Sequence, residues 1–290
     1  MSSINVDRMD DENGFGIKGR RAVAYIVLAL VSVMCLFWFY ILIINSTRTN
    51  AELSRGFTLI PGNALYTNWT NLYHGTIPII NGLVNSIIVS TLNAGLSVYF
   101  SAMTAYAVHV YDFKGKKFIS AFILAIMMIP QQVTALGFIQ LIGDMKLMDN
   151  FIPLIVPAIA APITYFYMKQ YMETSIPLEI IEAARIDGAG EFRTYNTIIL
   201  PLLKPALSVQ GIFTFVTCWN NYFTPALVLS TDKKKTLPIL IAMLRSADWL
   251  KFDMGQVYIM IAFSIFPVVL VYLFLSKYIV GGVALGAVKG

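Results

Sequence analysis

Apolar positions in this chain of 290 residues form long, nearly unbroken runs separated by polar intervals. Six runs stand out, at about 22 to 44, 82 to 110, 118 to 142, 152 to 172, 205 to 229 and 256 to 276. A hydrocarbon core about 30 Å thick is crossed by roughly 20 apolar residues in a helix, so each run is long enough to span a bilayer. The pattern predicts an all-α integral membrane protein with six transmembrane helices. The first run exceeds the signal-peptide core of roughly 7 to 15 residues. No small-residue cleavage site follows it, so it reads as a span.

The interval from about 173 to 204 has a different rhythm. Ser175 is a candidate helix cap, Pro177 fits a first helical turn, and Gly188 is the residue type that ends a helix in the left-handed conformation. Asp187, Ala189 and Gly190 extend the turn, and a second short helix is predicted from about Glu191 to Ile199. Pro201, lacking an amide hydrogen, marks the start of the next span. This is a soluble-looking helix-turn-helix between two membrane spans. Glu182 beside Ala183 and Ala184 gives it a low-profile surface that fits a groove of another protein.

Residues 1–17 mix Asp7, Arg8, Asp10, Asp11 and Glu12 with Gly14 and Gly16, a composition expected to form a flexible arm. Residues 18–290 then make one six-span membrane domain. Lys18, Arg20 and Arg21 before the first span, and Lys114, Lys116 and Lys117 between the second and third, put those segments in the cytoplasm. An even number of spans places both termini and the Glu182 loop on the same side. The last external loop carries Lys233, Lys234 and Lys235 against this rule, but the first helices weigh most in it. The segments at about 45 to 81 and 230 to 255 are the external parts long enough to touch another protein. Within the second, Leu237 to Leu244 is apolar enough to lie on the membrane or dock a partner.

Composition agrees with the spans. Hydrophobic residues make up 57% and charged residues 13%, which excludes an ordinary soluble domain. The net charge of +5 suits loops near anionic lipid and calls for no nucleic acid. Cys35 and Cys218 lie in apolar runs, too far apart for a metal pattern or a redox pair. His74 and His109 have no second histidine at ligand spacing, so neither a metal site nor a catalytic set is indicated.

The middles of the spans lack ionisable residues, which disfavours a carrier driven by protons or sodium. Gly14 to Gly19 followed by Arg20 misses the lysine and hydroxyl of a phosphate loop, so nucleotide chemistry belongs to a partner. Neutral polar and aromatic groups fill the spans, among them Asn85, Asn93, Thr134 and Asn221. Amides and hydroxyls can exchange hydrogen bonds with sugar hydroxyls while aromatic faces cover a pyranose, so a neutral polyol suits such a path. The same groups can equally bond helix to helix. Gln131, beside the helix-breaking Pro130, and the cluster Trp219, Asn220 and Tyr222 are the pathway candidates. In one helical turn at 100° per residue, that cluster would face several neighbours at once.

Glu182 Ala183 Ala184, then Gly188, then Ile198, Leu200 and Pro201 resemble the EAA loop of permease subunits of bacterial ABC importers. The longer run from Ile176 to Ala189 looks like the carbohydrate branch. Asn85 Ser86, Ala105 Tyr106 Ala107, Ile129 Pro130, Trp219 Asn220 and the tail from Gly281 to Gly290 extend the likeness over nearly the whole chain. It is most similar to the smaller permease subunit of maltose-type transporters.

That resemblance implies a type I ABC importer permease fold with a cytoplasmic coupling helix. Its ATPase-coupling residues would be Glu182, Ala183, Ala184, Asp187, Gly188 and Ala189. A tail ending in Lys289 and Gly290 would contact the ATPase pair. It further implies a second permease subunit, two ATP-binding subunits carrying ATP and Mg, and an extracytoplasmic sugar-binding protein. The setting would be the bacterial cytoplasmic membrane, with this chain itself non-catalytic and holding no cofactor. The competing readings are an ion-coupled secondary carrier and a membrane enzyme acting on lipid or glycan.

Overall fold

The computed structural model describes residues 7–246 and 253–287, with side chains over 19–246 and 253–277. Among the described residues all regular structure is helical. The elements are α1 (Asp7–Ser46), α2 (Asn50–Ser54), α3 (Leu65–Tyr73), α4 (Ile79–Val110), α5 (Lys116–Ile126), α6 (Gln131–Asp144) and α7 (Ile152–Ile155). A 3₁₀ turn, Val156–Ile159, leads to α8 (Pro162–Ser175), α9 (Leu178–Ile186) and α10 (Glu191–Thr194). A π-helical turn, Tyr195–Ile199, then precedes α11 (Leu200–Leu202), α12 (Lys204–Trp219), α13 (Phe223–Val228), α14 (Leu237–Arg245) and α15 (Met254–Ala287).

Four stretches are long and apolar enough to cross a membrane unbroken: Gly19–Ser46, Ile79–Val110, Ile152–Ser175 and Met254–Lys277. Two more are bent pairs, Lys116–Ile126 with Gln131–Asp144 at 97° and Glu191–Leu202 with Lys204–Trp219 at 80°. Counting each pair as one span gives six. Proline explains both bends. Pro130 has no amide hydrogen and drives the preceding residue out of the helical region, so α5 ends in a turn and α6 restarts at Gln131. The second bend falls at Leu203, ahead of Pro205 in the first turn of α12. Pro201, expected to mark the start of this span, sits inside α11.

Both ends are more helical than their composition suggests. Residues 7–17, expected as part of a flexible arm, continue α1 back to Asp7, because an established helix adds each further residue at little cost. The tail, despite Gly281, Gly282 and Gly286, stays helical to Ala287. Lys289 and Gly290 lie outside the described residues.

The chain divides into two compact units. The first holds residues up to Asn71 together with Asp253–Ala262. Buried Arg48 organises its connector, donating to the carbonyls of Glu52 and Gly56, while Thr49 and Glu52 close a capping box at the start of α2. Asn68 donates to the carbonyls of Ser46 and Arg48, tying α3 to the end of α1.

The second unit, Leu72–Phe252 with Phe263–Gly290, is built on α4, against which α8 and α12 pack. Small residues on α4, including Ser97, Ser101, Ala102 and Ala105, are buried and permit close helix approach. One core joins Ala102, Ala105 and Tyr106 to Tyr165, Met168 and Met172 of α8 and to Ile181, Tyr195, Ile199 and Leu203. Tyr195, Ile199 and Leu203 recur every four residues. The wider π-helical turn suits that spacing, keeping the three side chains on one buried face.

Candidate functional site

The segment from Ile176 to Leu203 folds as a short helix, a glycine turn and a second helix. Pro177 is the residue before the first helical position, and Ser175 ends α8 without capping α9, contrary to the expected cap. Gly188 adopts a φ of 76°, the left-handed conformation in which a Cβ is strained, and its amide bonds to the Arg185 carbonyl. The Ala189 amide closes the turn on the Ala184 carbonyl at 2.9 Å.

This arrangement sorts the motif residues into two faces. Ala184 is only 5% exposed and packs inward beside Ile181, so it supports the loop and offers no outer surface. Glu182, Ala183, Asp187 and Gly188 are exposed, with Ala189 half-buried. The outer face also carries Ile186 at 87% exposure and Phe192 at 70%. Large apolar side chains held out on a short rigid loop form an adhesive surface.

One carboxylate ties the loop together. Arg185 Nε donates to Glu191 Oε1 at 2.7 Å, and the Tyr106 hydroxyl donates to Glu191 Oε2 at 2.9 Å. The Arg185 guanidinium lies 5.6 Å from the centre of the Tyr111 ring. The Arg185 hydrogen bond, with help from the two tyrosines, draws the Glu191 carboxyl down to about 2. Arg185 is raised in turn, chiefly by Glu191, while burial and then Glu191 raise the Tyr111 hydroxyl. Glu191 therefore stays ionised and links α9 and α10 to the end of α4.

A cavity of about 690 Å³ lies between α4, α6, the α7 to α8 segment, α12 and α13. Gln131 lines it, its amide donating to the Thr224 hydroxyl at 2.9 Å. Asn93 also lines it while bonding to the Leu154 carbonyl, so one amide both packs helices and faces the void. Trp219, Asn220 and Tyr222 do not line it. Helix α12 ends at Trp219 and α13 begins at Phe223, so the three residues do not share the single turn expected of them. Trp219 is 4% exposed and stacks on Phe215, whereas Asn221 lines the cavity and accepts the Thr224 amide. The aromatic lining comes instead from Phe138, Phe213 and Phe223.

The family model described as "Binding-protein-dependent transport system inner membrane component" matches residues 97–284. The chain belongs to this family. This permease is 33% identical over 267 residues to the arabinooligosaccharides transport system permease protein AraQ of Bacillus subtilis (strain 168), covering 90% of this chain and 93% of the relative. It is 30% identical over 275 residues to the trehalose/maltose transport system permease protein MalG of Thermococcus litoralis, covering 93% and 98%. Its fold matches a chain from the crystal structure of a bacterial ABC transporter involved in the import of the acidic polysaccharide alginate. That match has a TM-score of 0.76 at 22% identity and covers 96% of this chain and 99% of the other. The ABC importer permease fold expected from the EAA-like loop is thus present, and the permease is a multi-pass membrane protein. Neither an ion-coupled carrier nor a membrane enzyme finds support in these likenesses.

Sequence reasoning missed Glu191 and Arg185 as partners, as well as the exposed Ile186 and Phe192 of the permease loop. An apolar residue beside a glycine turn is a weak signal of exposure, because most such residues are buried. It also missed Asp149, which holds the connector after α13. Its carboxylate accepts the Ser230 and Thr231 amides at 3.0 and 3.1 Å and the Thr231 hydroxyl at 2.7 Å. Those bonds, Thr231's hydroxyl first, hold the Asp149 carboxyl far below its usual range.

Proposed function

We propose that this permease forms part of the transmembrane path of an ATP-driven importer of sugars or oligosaccharides. It is paired there with a second permease and served by an extracytoplasmic binding protein. Two ATP-binding subunits, holding ATP and Mg, carry out hydrolysis, and this chain is non-catalytic. The Ile176 to Leu203 loop faces the cytoplasm, as do both termini, and it seats in a cleft of an ATPase subunit. A tail that includes Lys289 and Gly290 reaches the same subunits. The relatives' names, for arabinooligosaccharides and for trehalose and maltose, support a saccharide cargo.

The observation that carries the docking assignment is the outer face of the loop. Ile186 and Phe192 are exposed on the same loop as Glu182 and Ala183, while Ala184 is buried and Ile181 anchors α9 to the core. A helix serving only to connect spans would turn its large apolar residues inward or into the bilayer. Glu182→Lys and Ile186→Asp leave the buried face intact and alter only the outer one. In the assembled transporter both should lower sugar-stimulated ATP hydrolysis at least about tenfold, about 1.4 kcal/mol of lost coupling. Membrane insertion should be unchanged. Normal stimulation in both variants would remove the docking role.

A further inference from the structure

The wall of the cavity formed by α12 carries hydrogen-bonding groups that the protein leaves unused. Gln210 is 6% exposed and lines the cavity, yet its amide has no hydrogen bond among the described residues. Buried amides are almost always paired, and leucine would fill the same site on a membrane helix without the cost of desolvating a polar group. The Gln210 amide, facing the cavity, thus keeps its hydrogen-bonding capacity for water or a solute there. Thr214 and Thr217 follow at four and seven residues, on the same face of α12, and also line the cavity. Their hydroxyls too make no hydrogen bond among the described residues. Phe213 shares this face, and Phe223 stands on α13.

No aspartate, glutamate, lysine, arginine or histidine occurs among the described residues lining the cavity. An anionic solute would lose its hydration there without gaining a countercharge, whereas a neutral polyol exchanges one set of hydrogen bonds for another. The volume of about 690 Å³ falls within the span of small-molecule sites, roughly 300 to 1,000 Å³. A solute with many hydroxyls and apolar ring faces matches both halves of the lining. We propose that Gln210, Thr214 and Thr217 form a strip that binds the hydroxyls of an uncharged saccharide, with Phe213 and Phe223 covering its ring faces. This rests on the reading of the cavity as part of the transport path.

The test uses the assembled transporter in proteoliposomes, with Cys35→Ser and Cys218→Ser removing the native thiols. Thr134→Cys, on the facing helix α6, places a reporter in the cavity. Methanethiosulfonates bearing a methyl, a neutral glucosyl or an anionic sulfonatoethyl group are compared, each rate divided by its rate with free cysteine. The glucosyl reagent should react at least about tenfold faster than the sulfonatoethyl reagent on this scale, a difference of one decade in relative affinity. Gln210→Leu should lower the glucosyl rate severalfold and leave the methyl rate unchanged. Thr214→Val, which keeps the shape of the side chain, should act in the same direction and guards against a folding defect in the first variant.

Equal glucosyl and sulfonatoethyl rates, or a glucosyl rate indifferent to both variants, would overturn the saccharide strip while leaving the path in place. If no reagent reaches the reporter, with or without ATP, the cavity is not part of the path. The strip then falls with the reading beneath it.

Discussion

The loop from 176 to 203 and the connector from 228 to 237 lie at opposite ends of the spans, and each is held by one carboxylate in a different manner. Glu191 accepts side-chain donors, the Arg185 guanidinium and the Tyr106 hydroxyl. Asp149 accepts two backbone amides as well as the Thr231 hydroxyl and the Lys234 ammonium, and its own amide donates to the Val228 carbonyl. It sits at a φ of 55°, a conformation that aspartate tolerates better than most residues. On its other side the connector is fastened to α4. There Asn85 donates to the carbonyls of Lys233 and Lys235, and the Ser86 hydroxyl accepts the Leu237 amide. The connector adjoining the cavity is braced by backbone hydrogen bonds, while the loop proposed to receive the ATPase is tied by side-chain hydrogen bonds and by the core packing of Ile181, Tyr195 and Ile199.

Asp149→Ala should give the largest effect, because it strips acceptors from two amides, a hydroxyl and an ammonium group at once. The melting temperature of the purified complex should fall more than in any loop variant described below, and Asp149→Asn should recover part of the loss. A fall no greater than that of Glu191→Ala would erase the contrast between the ends. Gly188→Val comes next. Nothing lies within 4 Å of a Cβ built there, so its cost is backbone strain alone, about 1–2 kcal/mol for a left-handed residue. Gly188→Asn should cost less, and equal melting temperatures for the two would show that the turn does not hold its conformation.

Glu191→Ala leaves Tyr106 without an acceptor. After discounting for the half-exposed carboxylate, the loss should be about 1 kcal/mol, read from thermal unfolding. The pH response has a definite sign. Because the Glu191 carboxyl is drawn from 4.5 to about 2, its stabilisation is complete above 4.5 and fades as pH falls through that window. The melting difference between wild type and Glu191→Gln should be flat near about pH 7 and shrink by about pH 3. A difference that grows on acidification would contradict the assigned partners. The smallest effect concerns Thr194, fully buried with an unpartnered hydroxyl. Thr194→Val should raise stability by about 1 kcal/mol, since it removes an unsatisfied group without opening a void. A fall in melting temperature would reveal a hydrogen bond at that hydroxyl.

The motif loop was readable because its signals are local. Gly188 at a helix end, the Glu182 Ala183 Ala184 run and the flanking spans each follow from neighbours in the chain, and the turn forms where expected. Ala184 could not be assigned to the inner face from the motif, since which side of α9 turns inward is set by the core that Ile181 joins with α4 and α8. The single helical turn expected for the aromatic and amide cluster is absent for a related reason. One helical turn was expected to hold Trp219, Asn220 and Tyr222, but α12 ends at Trp219, which stacks on Phe215. Gln131 lines the cavity beside the break at Pro130, whereas Gln210 and Thr214 carried no cue that separated them from ordinary polar residues of a span.

The sequence by itself determined that the chain is helical and membrane-spanning, that a loop near Glu182 stands apart from the spans, and that Pro130 interrupts the third. Those properties follow from hydrophobic length, backbone chemistry and residue order, all of which act within a few turns of helix. Only the tertiary structure decided which face of each helix meets a neighbour, which carboxylate holds each connector, and which polar side chains border the cavity. Those outcomes depend on contacts between residues far apart in the chain, 150 positions for Asn85 and Lys235, and no local pattern encodes the register in which two helices pack.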